Sequence, residues 1–158
     1  MLPLQIKQLA PLSNWSIITV TGVDAMDFLQ SQLTNSVKSI KSTPVGQIAQ
    51  LEQGSCFSGY CSAKGRLMAS FWISRYEVST ETGETAPQFQ LAISKDLAAQ
   101  TAKRLSMFVL RAKVKVIDQT DLLLSFAYIH ESQAGATDAT LQALQSIEGI
   151  RLEELPPV

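Results

Sequence analysis

The sequence predicts an α+β fold in which helices pack on a mainly antiparallel sheet. Runs rich in β-branched and aromatic residues recur along the chain, and amphipathic segments with helical periodicity lie between them. Their order is strand, helix, several strands, helix, strand, strand, helix. This order is typical of layered α+β folds and predicts a core of ferredoxin-like split βαβ elements.

The predicted strands are short and end at turn residues. The first covers residues 15–21 and ends at Gly22. The segments at Cys56 to Cys61 and 67–76 meet at Gly65 and are expected to form a hairpin. The polar segment 79–87 is predicted to be a mobile surface loop. The remaining strand predictions are 45–51, 88–93, 114–117 and 122–128.

Three helices are predicted from apolar residues at three- and four-residue spacing. The first covers 23–33, with Met26, Leu29 and Leu33 on one face. Ser94 is placed to cap the second, which ends near residue 107, and the third covers 138–147.

We expect residues 1–158 to form one domain, since this length supports a single hydrophobic core. From about residue 119, a strand and a helix resemble the start of a second unit whose closing strands are absent. We therefore expect a truncated fold, with exposed sheet edges that favour self-association.

The composition excludes several function classes. Thirteen basic and fourteen acidic side chains give a net charge of -1, so no overall field attracts nucleic acid or an anionic membrane. Any such partner would need a local patch. No apolar run is long enough to span a bilayer, and the first residues do not form a signal peptide. These observations predict a cytoplasmic protein without a membrane partner.

The cysteines, Cys56 and Cys61, are predicted to be free thiols, because a reducing compartment maintains them and two cysteines do not build a disulfide framework. With His130 they make only three soft or imidazole ligands, fewer than a zinc or iron–sulfur site normally uses. His130 has no nucleophile motif beside it and is expected on the surface. We expect neither a metal site nor catalytic residues.

Two stretches of basic residues allow two readings each. Lys64 and Arg66 flank Gly65 in a turn, where they would either bind a carboxylate or phosphate or remain a solvated turn; the residues alone favour the latter. Lys103, Arg104 and the alternating set at 111, 113 and 115 would form either an RNA-contacting face or an ordinary polar face opposite apolar neighbours.

Three segments in order resemble the YgfZ-type branch of the folate-binding proteins related to the glycine-cleavage T-protein. They are Asn-Trp through Val-Thr-Gly-Val-Asp-Ala and Phe-Leu-Gln-Ser-Gln-Leu-Thr at 14–34, Cys-Ser-Ala-Lys-Gly-Arg at 61–66, and Arg-Leu-Ser-Met-Phe-Val-Leu-Arg-Ala-Lys-Val at 104–114. The resemblance covers about residues 12 to 128. Each motif alone is weak, and their order and spacing together are specific.

The resemblance implies a T-protein-like fold that binds tetrahydrofolate, with Trp15 contacting the folate. It also implies a supporting role in iron–sulfur enzyme maintenance and in the tRNA modification that depends on such enzymes, with iron–sulfur proteins and tRNA as partners. Trp15 would stack on a ring of the ligand, and Lys64 and Arg66 would meet its glutamate tail. The alternatives are a tRNA- or protein-interaction module without folate and an aminomethyltransferase.

The chain departs from the family pattern at two places. The aspartate that assists aminomethyl transfer is replaced by Met68 and Ala69, neither of which carries a proton. The Lys-Gly-Cys-Tyr-x-Gly-Gln-Glu signature of the YgfZ-type branch does not occur in the sequence. The resemblance therefore implies a folate-binding accessory protein and not an enzyme.

Overall fold

The computed structural model describes residues 8–44, 47–51, 53–129, 139–146 and 151–153. In chain order the elements are β1 Gln8–Pro11, β2 Trp15–Thr21, α1 Ala25–Gln32, β3 Ile48–Ala49, β4 Ser55–Cys61, β5 Leu67–Ser79, β6 Thr85–Ser94, α2 Lys95–Met107, β7 Lys115–Asp118, β8 Phe126–Ile129, α3 Ala139–Ser146 and β9 Leu152–Glu153.

The main sheet has five strands in the order β4-β5-β6-β2-β7, and every neighbouring pair is antiparallel. It follows that β2 and β5 run parallel with β6 between them, and that β6 and β7 run parallel with β2 between them. The segments β2–α1–β5 and β6–α2–β7 are thus two interleaved split βαβ units, with β4 added at the edge. The predicted α+β fold with ferredoxin-like elements is confirmed.

Two further ladders lie outside this sheet. Strands β1 and β8 pair antiparallel from Gln8↔Ile129 to Pro11↔Phe126. Strands β3 and β9 pair parallel over two residues each, Ile48↔Leu152 and Ala49↔Glu153. Among the described strands, this short ladder is the parallel exception in a mainly antiparallel architecture.

The hydrophobic core lies between one face of the main sheet and helices α1 and α2. Alternate residues of the strands point into it, because side chains along a strand alternate between faces. The helices contribute Phe28, Leu29 and Leu105, all buried. The strands contribute Ile18, Val20, Phe71, Ile73, Phe89, Leu91 and Ile93.

The second face of the sheet carries a different set of side chains. The cross-strand partners Phe57↔Trp72, Trp72↔Ala92 and Ala92↔Ile17 form one row across four strands. Phe57 is 49% exposed, and Trp72, Ala92 and Ile17 are half-buried. This face is therefore only partly covered by the described residues.

The prediction of a mobile loop over 79–87 was wrong at both ends. Strand β5 continues to Ser79 and β6 begins at Thr85, which leaves a five-residue turn with Gly83 at φ +80°. Ala86 is fully buried and pairs with Val78. The extended pairing with β5 outweighs the weak strand propensity of Ala86 and Pro87, since β propensity depends strongly on context.

Two other predicted strands are shorter than expected. Of 122–128, only the part from Phe126 onward is a strand, because residues 119–123 form a turn closed by the N–H groups of Leu122 and Leu123 on the Gln119 carbonyl. Of 45–51, the described part contains β3 alone. The predicted third helix agrees with α3 within one residue at each end.

The turn after β2 is fixed by a close contact with the chain before β7. Gly22 has φ +142°, and a Cβ atom added there would lie 2.0 Å from the carbonyl oxygen of Lys113. Asp24 accepts a hydrogen bond of 2.7 Å from the Lys113 backbone N–H with its carboxylate. The sequence Gly22-Val23-Asp24 thus joins the start of α1 to the segment that leads into β7.

The start of α2 differs from the expected cap. Ser94 does precede the helix, but its hydroxyl donates to the Asp96 carboxylate at 2.5 Å and makes no cap bond to the helix backbone. Asp96 lies in the first turn, where a carboxylate interacts favourably with the helix dipole.

Candidate functional site

A cleft opens where strands β5 and β6 separate. Their ladder stops at Trp72↔Ala92, although β6 continues to pair with β2 as far as Trp15↔Ser94 and β5 with β4 as far as Leu67. The two strand pairs therefore diverge toward one end of the sheet. The resulting cleft has a volume of about 240 Å³, and its walls include Asn14, Trp15, Phe57, Ser70, Trp72 and Ser94.

The cleft presents three aromatic side chains. Trp15 is half-buried at the first position of β2. Phe57 and Trp72 are cross-strand partners, with ring centroids 5.2 Å apart and planes inclined at 54°. Aromatic rings in a partly buried cleft provide stacking surfaces for a flat ligand at little cost in conformational entropy.

The hairpin turn between β4 and β5 projects from the same end of the sheet. The Ser62 N–H donates to the Arg66 carbonyl at 2.8 Å, and the Gly65 N–H donates to the Ser62 carbonyl at 2.9 Å. Gly65 adopts φ +73°, a conformation that glycine tolerates better than residues with a Cβ. The turn holds Lys64 and Arg66 exposed to solvent.

The structure brings the three residues predicted from the sequence to one end of the main sheet. Strand β6 lies between the strand of Trp15 and β5, and the turn that carries Lys64 and Arg66 lies farther along β5 than the level of Trp15, so the separation exceeds two strand spacings, or about 10 Å. A ligand longer than a single ring system is needed to contact both. The arrangement suits an elongated ligand with an aromatic part and an anionic part.

Two site residues were missed by the sequence analysis. Phe57 and Trp72 were assigned to strands for their β propensity, and nothing local distinguishes a cleft aromatic from a core aromatic. The register set by the turn, Cys61↔Leu67, would have paired Phe57 with Phe71, and the β-bulge at Met68 shifts the ladder so that Phe57 pairs with Trp72. Phe57 and Trp72 share a cleft with Trp15 because of the strand order, which is not apparent from the local sequence.

The residues at the position of the aminomethyltransferase aspartate lie inside the sheet. Tyr60 pairs with Ala69 and Cys61 with Leu67, so Met68 is the extra residue of a β-bulge. Met68 packs against the core and Ala69 is buried. Neither side chain can accept or donate a proton in the cleft.

Cys56 and Cys61 are half-buried thiols on β4 that are not joined in a disulfide. In the described part of the chain, no three His, Cys, Asp or Glu side chains come together as metal ligands. His130 lies outside the described residues.

The predicted alternation of Arg111, Lys113 and Lys115 along one strand was wrong, because β7 begins only at Lys115. Residues 108–112 form turns instead, with the Ala112 N–H donating to the Val109 carbonyl, and Leu110 has φ +46°. All three cations are exposed. Arg111 and Lys113 precede β7 and Lys115 is its first residue, at the end of the sheet opposite the cleft.

Comparison with known proteins gives sequence relatives at modest identity. No family model matches the chain. It is 27% identical over 133 residues to the "Iron-sulfur cluster assembly factor IBA57 homolog, mitochondrial" of Mycosarcoma maydis, covering 84% of this chain and 32% of that protein. It is 29% identical over 115 residues to the "tRNA-modifying protein YgfZ" of Aliivibrio fischeri, covering 73% and 30%.

A structural comparison agrees with the fold. The glycine cleavage system aminomethyltransferase T from Bartonella henselae matches with a TM-score of 0.53 and 20% sequence identity, over 70% of this chain and 26% of that chain. At this identity the likeness concerns the fold alone. The T-protein-like fold implied by the three sequence segments is confirmed.

The resemblance to YgfZ-type proteins is likewise confirmed, because sequence relatives of this chain carry that name. The chain spans about a third of the length of the curated relatives that it matches. Within the described residues, no helix is both long and apolar enough to cross a membrane.

Proposed function

We propose that this chain binds tetrahydrofolate and acts as an accessory module for iron–sulfur enzymes and for the tRNA modification that depends on them. The observation that carries the proposal is the cleft with Trp15, Phe57 and Trp72 on the same end of the sheet as Lys64 and Arg66. The names of the sequence relatives, an iron–sulfur cluster assembly factor and a tRNA-modifying protein, support the cellular role. Residues 1–158 act as one unit in this proposal, in the cytoplasm.

The volume of the cleft suggests which part of the ligand lies inside it and which part lies outside. At about 240 Å³ it is smaller than the roughly 300–1,000 Å³ that pockets for drug-sized ligands occupy. It therefore accommodates a ring system, with the rest of the ligand outside. In the proposed arrangement an aromatic ring stacks on Trp15 and the glutamate carboxylates extend toward Lys64 and Arg66.

The proposal includes no catalysis by this chain. An aminomethyltransferase needs a group that takes and returns a proton at the reacting centre. Met68 packs in the core and Ala69 is buried, so neither provides one. The proposed role of the site is therefore to bind the folate and to present it to the enzymes that the chain assists.

Trp15→Ala is expected to weaken tetrahydrofolate binding by about tenfold or more, because removing a central aromatic from a binding site typically costs ~2 kcal/mol. Isothermal titration calorimetry of the folded wild type and variant measures the two dissociation constants for tetrahydrofolate. Phe108→Ala is the matched control, since Phe108 is 46% exposed and lies at the other end of the sheet. A folded protein that shows no affinity for tetrahydrofolate would remove the ligand from the proposal.

Replacing both Lys64 and Arg66 with glutamine is expected to reduce affinity for polyglutamylated tetrahydrofolate about two- to fivefold. The effect is smaller than that of Trp15→Ala because exposed ion pairs are weak, and two pairs of ~0.2–0.5 kcal/mol each give this factor. The affinity of the wild type should also fall with added salt. Lys41→Gln, at another exposed lysine, serves as the control. Equal losses in the double variant and the control would argue against the tail contact.

A further inference from the structure

Residues 107–115 form a protruding segment that we call the basic–apolar knob. It carries three exposed apolar side chains: Leu110 by 87%, Met107 by 67% and Phe108 by 46%. Between them, Val109 packs against the core and fixes the segment to the domain. Three neighbouring apolar side chains therefore face solvent from a well-anchored turn, an arrangement typical of a contact surface.

The backbone of the knob is strained at its most exposed residue. Leu110 has φ +46°, and it is the non-glycine residue with positive φ in the described part of the chain. A bulky residue in this region is an outlier that glycine or asparagine would relieve. Strained backbone held by a surrounding structure is often found at functional sites. Here the strain accompanies the outward projection of a leucine that contributes nothing to the core.

The knob is also strongly basic. Residues 107–115 contain three lysine or arginine side chains and no aspartate or glutamate. Arg111, Lys113 and Lys115 are exposed beside the apolar residues. The carboxylate of Asp24 approaches the knob and accepts a hydrogen bond from the Lys113 backbone N–H, which holds the turn in place. The local charge is thus opposite in sign to the net charge of the whole chain.

From this combination we infer that the basic–apolar knob docks on an anionic lipid surface, inserting Leu110, Met107 and Phe108 between headgroups while the cations meet lipid phosphates or carboxylates. Apolar insertion and electrostatic attraction are the two forces that bind peripheral proteins to membranes. An RNA backbone would use the cations and would leave a leucine of 87% exposure without a partner. The lipid surface uses both sets of side chains.

This inference replaces the expectation of no membrane partner. That expectation came from the net charge and from the lack of a segment long enough to span a bilayer. The net charge says nothing about a local basic patch, and the lack of a spanning segment says nothing about a surface that lies on a membrane without crossing it. The knob is at the end of the sheet opposite the folate cleft, because β7 pairs Lys115 with Thr21 and so begins away from Trp15. Lipid docking therefore does not depend on the proposed folate function.

The test is co-sedimentation of the chain with phosphatidylcholine vesicles that contain about one-third phosphatidylserine. We expect binding to these vesicles, little binding to pure phosphatidylcholine, and loss of binding as the salt rises from about 0.1 M to about 1 M. Arg111→Gln is expected to reduce the affinity about fivefold, since each cation near such a surface contributes ~1 kcal/mol. Lys41→Gln should leave it unchanged.

Leu110→Asn separates docking from folding. Asparagine tolerates positive φ, so the melting temperature should stay the same or rise, while vesicle affinity should fall at least about fivefold because the most exposed apolar side chain is lost. Leu122→Asn is the matched control, since Leu122 is 75% exposed and follows β7 at the cleft end. Absence of vesicle binding at low salt, or equal losses for both leucine variants, would overturn the inference. A gel shift with bulk tRNA that Arg111→Gln weakens, without vesicle binding, would assign the knob to RNA instead.

Discussion

Replacing Gly22 with alanine is expected to lower the free energy of unfolding by about 3 kcal/mol or more. Two effects add at this position. The backbone at φ +142° is disfavoured for a residue with a side chain, and the new Cβ would lie 2.0 Å from the Lys113 carbonyl oxygen. The obstacle is backbone, which cannot rotate away as a side chain would. Relief requires moving the segment before β7 and breaking the Asp24 hydrogen bond to the Lys113 N–H.

Urea denaturation followed by circular dichroism measures this loss, and Gly65→Ala is the matched control. Gly65 also has positive φ, at +73°, but a Cβ added there meets no atom within 4 Å. It should cost only the conformational penalty, roughly 1–2 kcal/mol. If the two variants lose the same stability, the close approach of Gly22 to Lys113 is not a constraint on folding.

Phe71→Ala is the second change with a large expected effect, a loss of about 3–5 kcal/mol. Phe71 is 1% exposed and lies in the core between the sheet and the helices. Its removal leaves a cavity that surrounding side chains fill only in part. Since a domain of this kind has a total stability of roughly 5–15 kcal/mol, the variant is expected to be partly unfolded at physiological temperature.

The comparison variant is Phe57→Ala, the same substitution on the adjoining strand but on the opposite face. Phe57 is 49% exposed and contacts Trp72, so its loss should cost about 1 kcal/mol. Thermal denaturation of both variants gives the difference. A loss for Phe57→Ala as large as that for Phe71→Ala would mean that the second face is covered more fully than the described residues indicate.

The agreement between sequence and structure is best where local patterns and packing coincide. Strand β2 occupies the predicted residues, since its β-branched residues favour a strand and most of them are buried or half-buried in the sheet. Helix α2 begins after Ser94 and ends at Met107 as expected. The hairpin at Gly65 also follows from residues close in sequence, because turn chemistry is local.

The disagreements occur where distant parts of the chain decide the conformation. Ala86 and Pro87 have little strand propensity, and they join β6 because they pair with the extended strand β5. Residues 111–114 alternate as a strand would, yet the contact between Asp24 and Lys113 and the strained turn at Leu110 keep them out of the sheet. Propensity sets a preference of about 1 kcal/mol or less per residue, which pairing and packing readily exceed.

The candidate site shows the same division. Trp15, Lys64 and Arg66 were selected from the sequence by resemblance to a family, and the structure places all three at one end of the sheet. Phe57 and Trp72 were not selected. They enter the site because β5 and β6 separate beyond Trp72↔Ala92, a feature of the strand arrangement and not of any single segment.

The α+β class that opens the sequence analysis was thus determined by the chain itself, since hydrophobic period and turn residues are local properties that persist in any fold of this sequence. Tertiary structure decided which strands are neighbours, where two of them diverge, and which apolar residues remain exposed. Those outcomes depend on contacts between residues far apart in sequence. Such contacts form only when the chain folds, so they stabilise the folded state without leaving a signal in any short segment. The cleft and the basic–apolar knob are both consequences of these tertiary contacts.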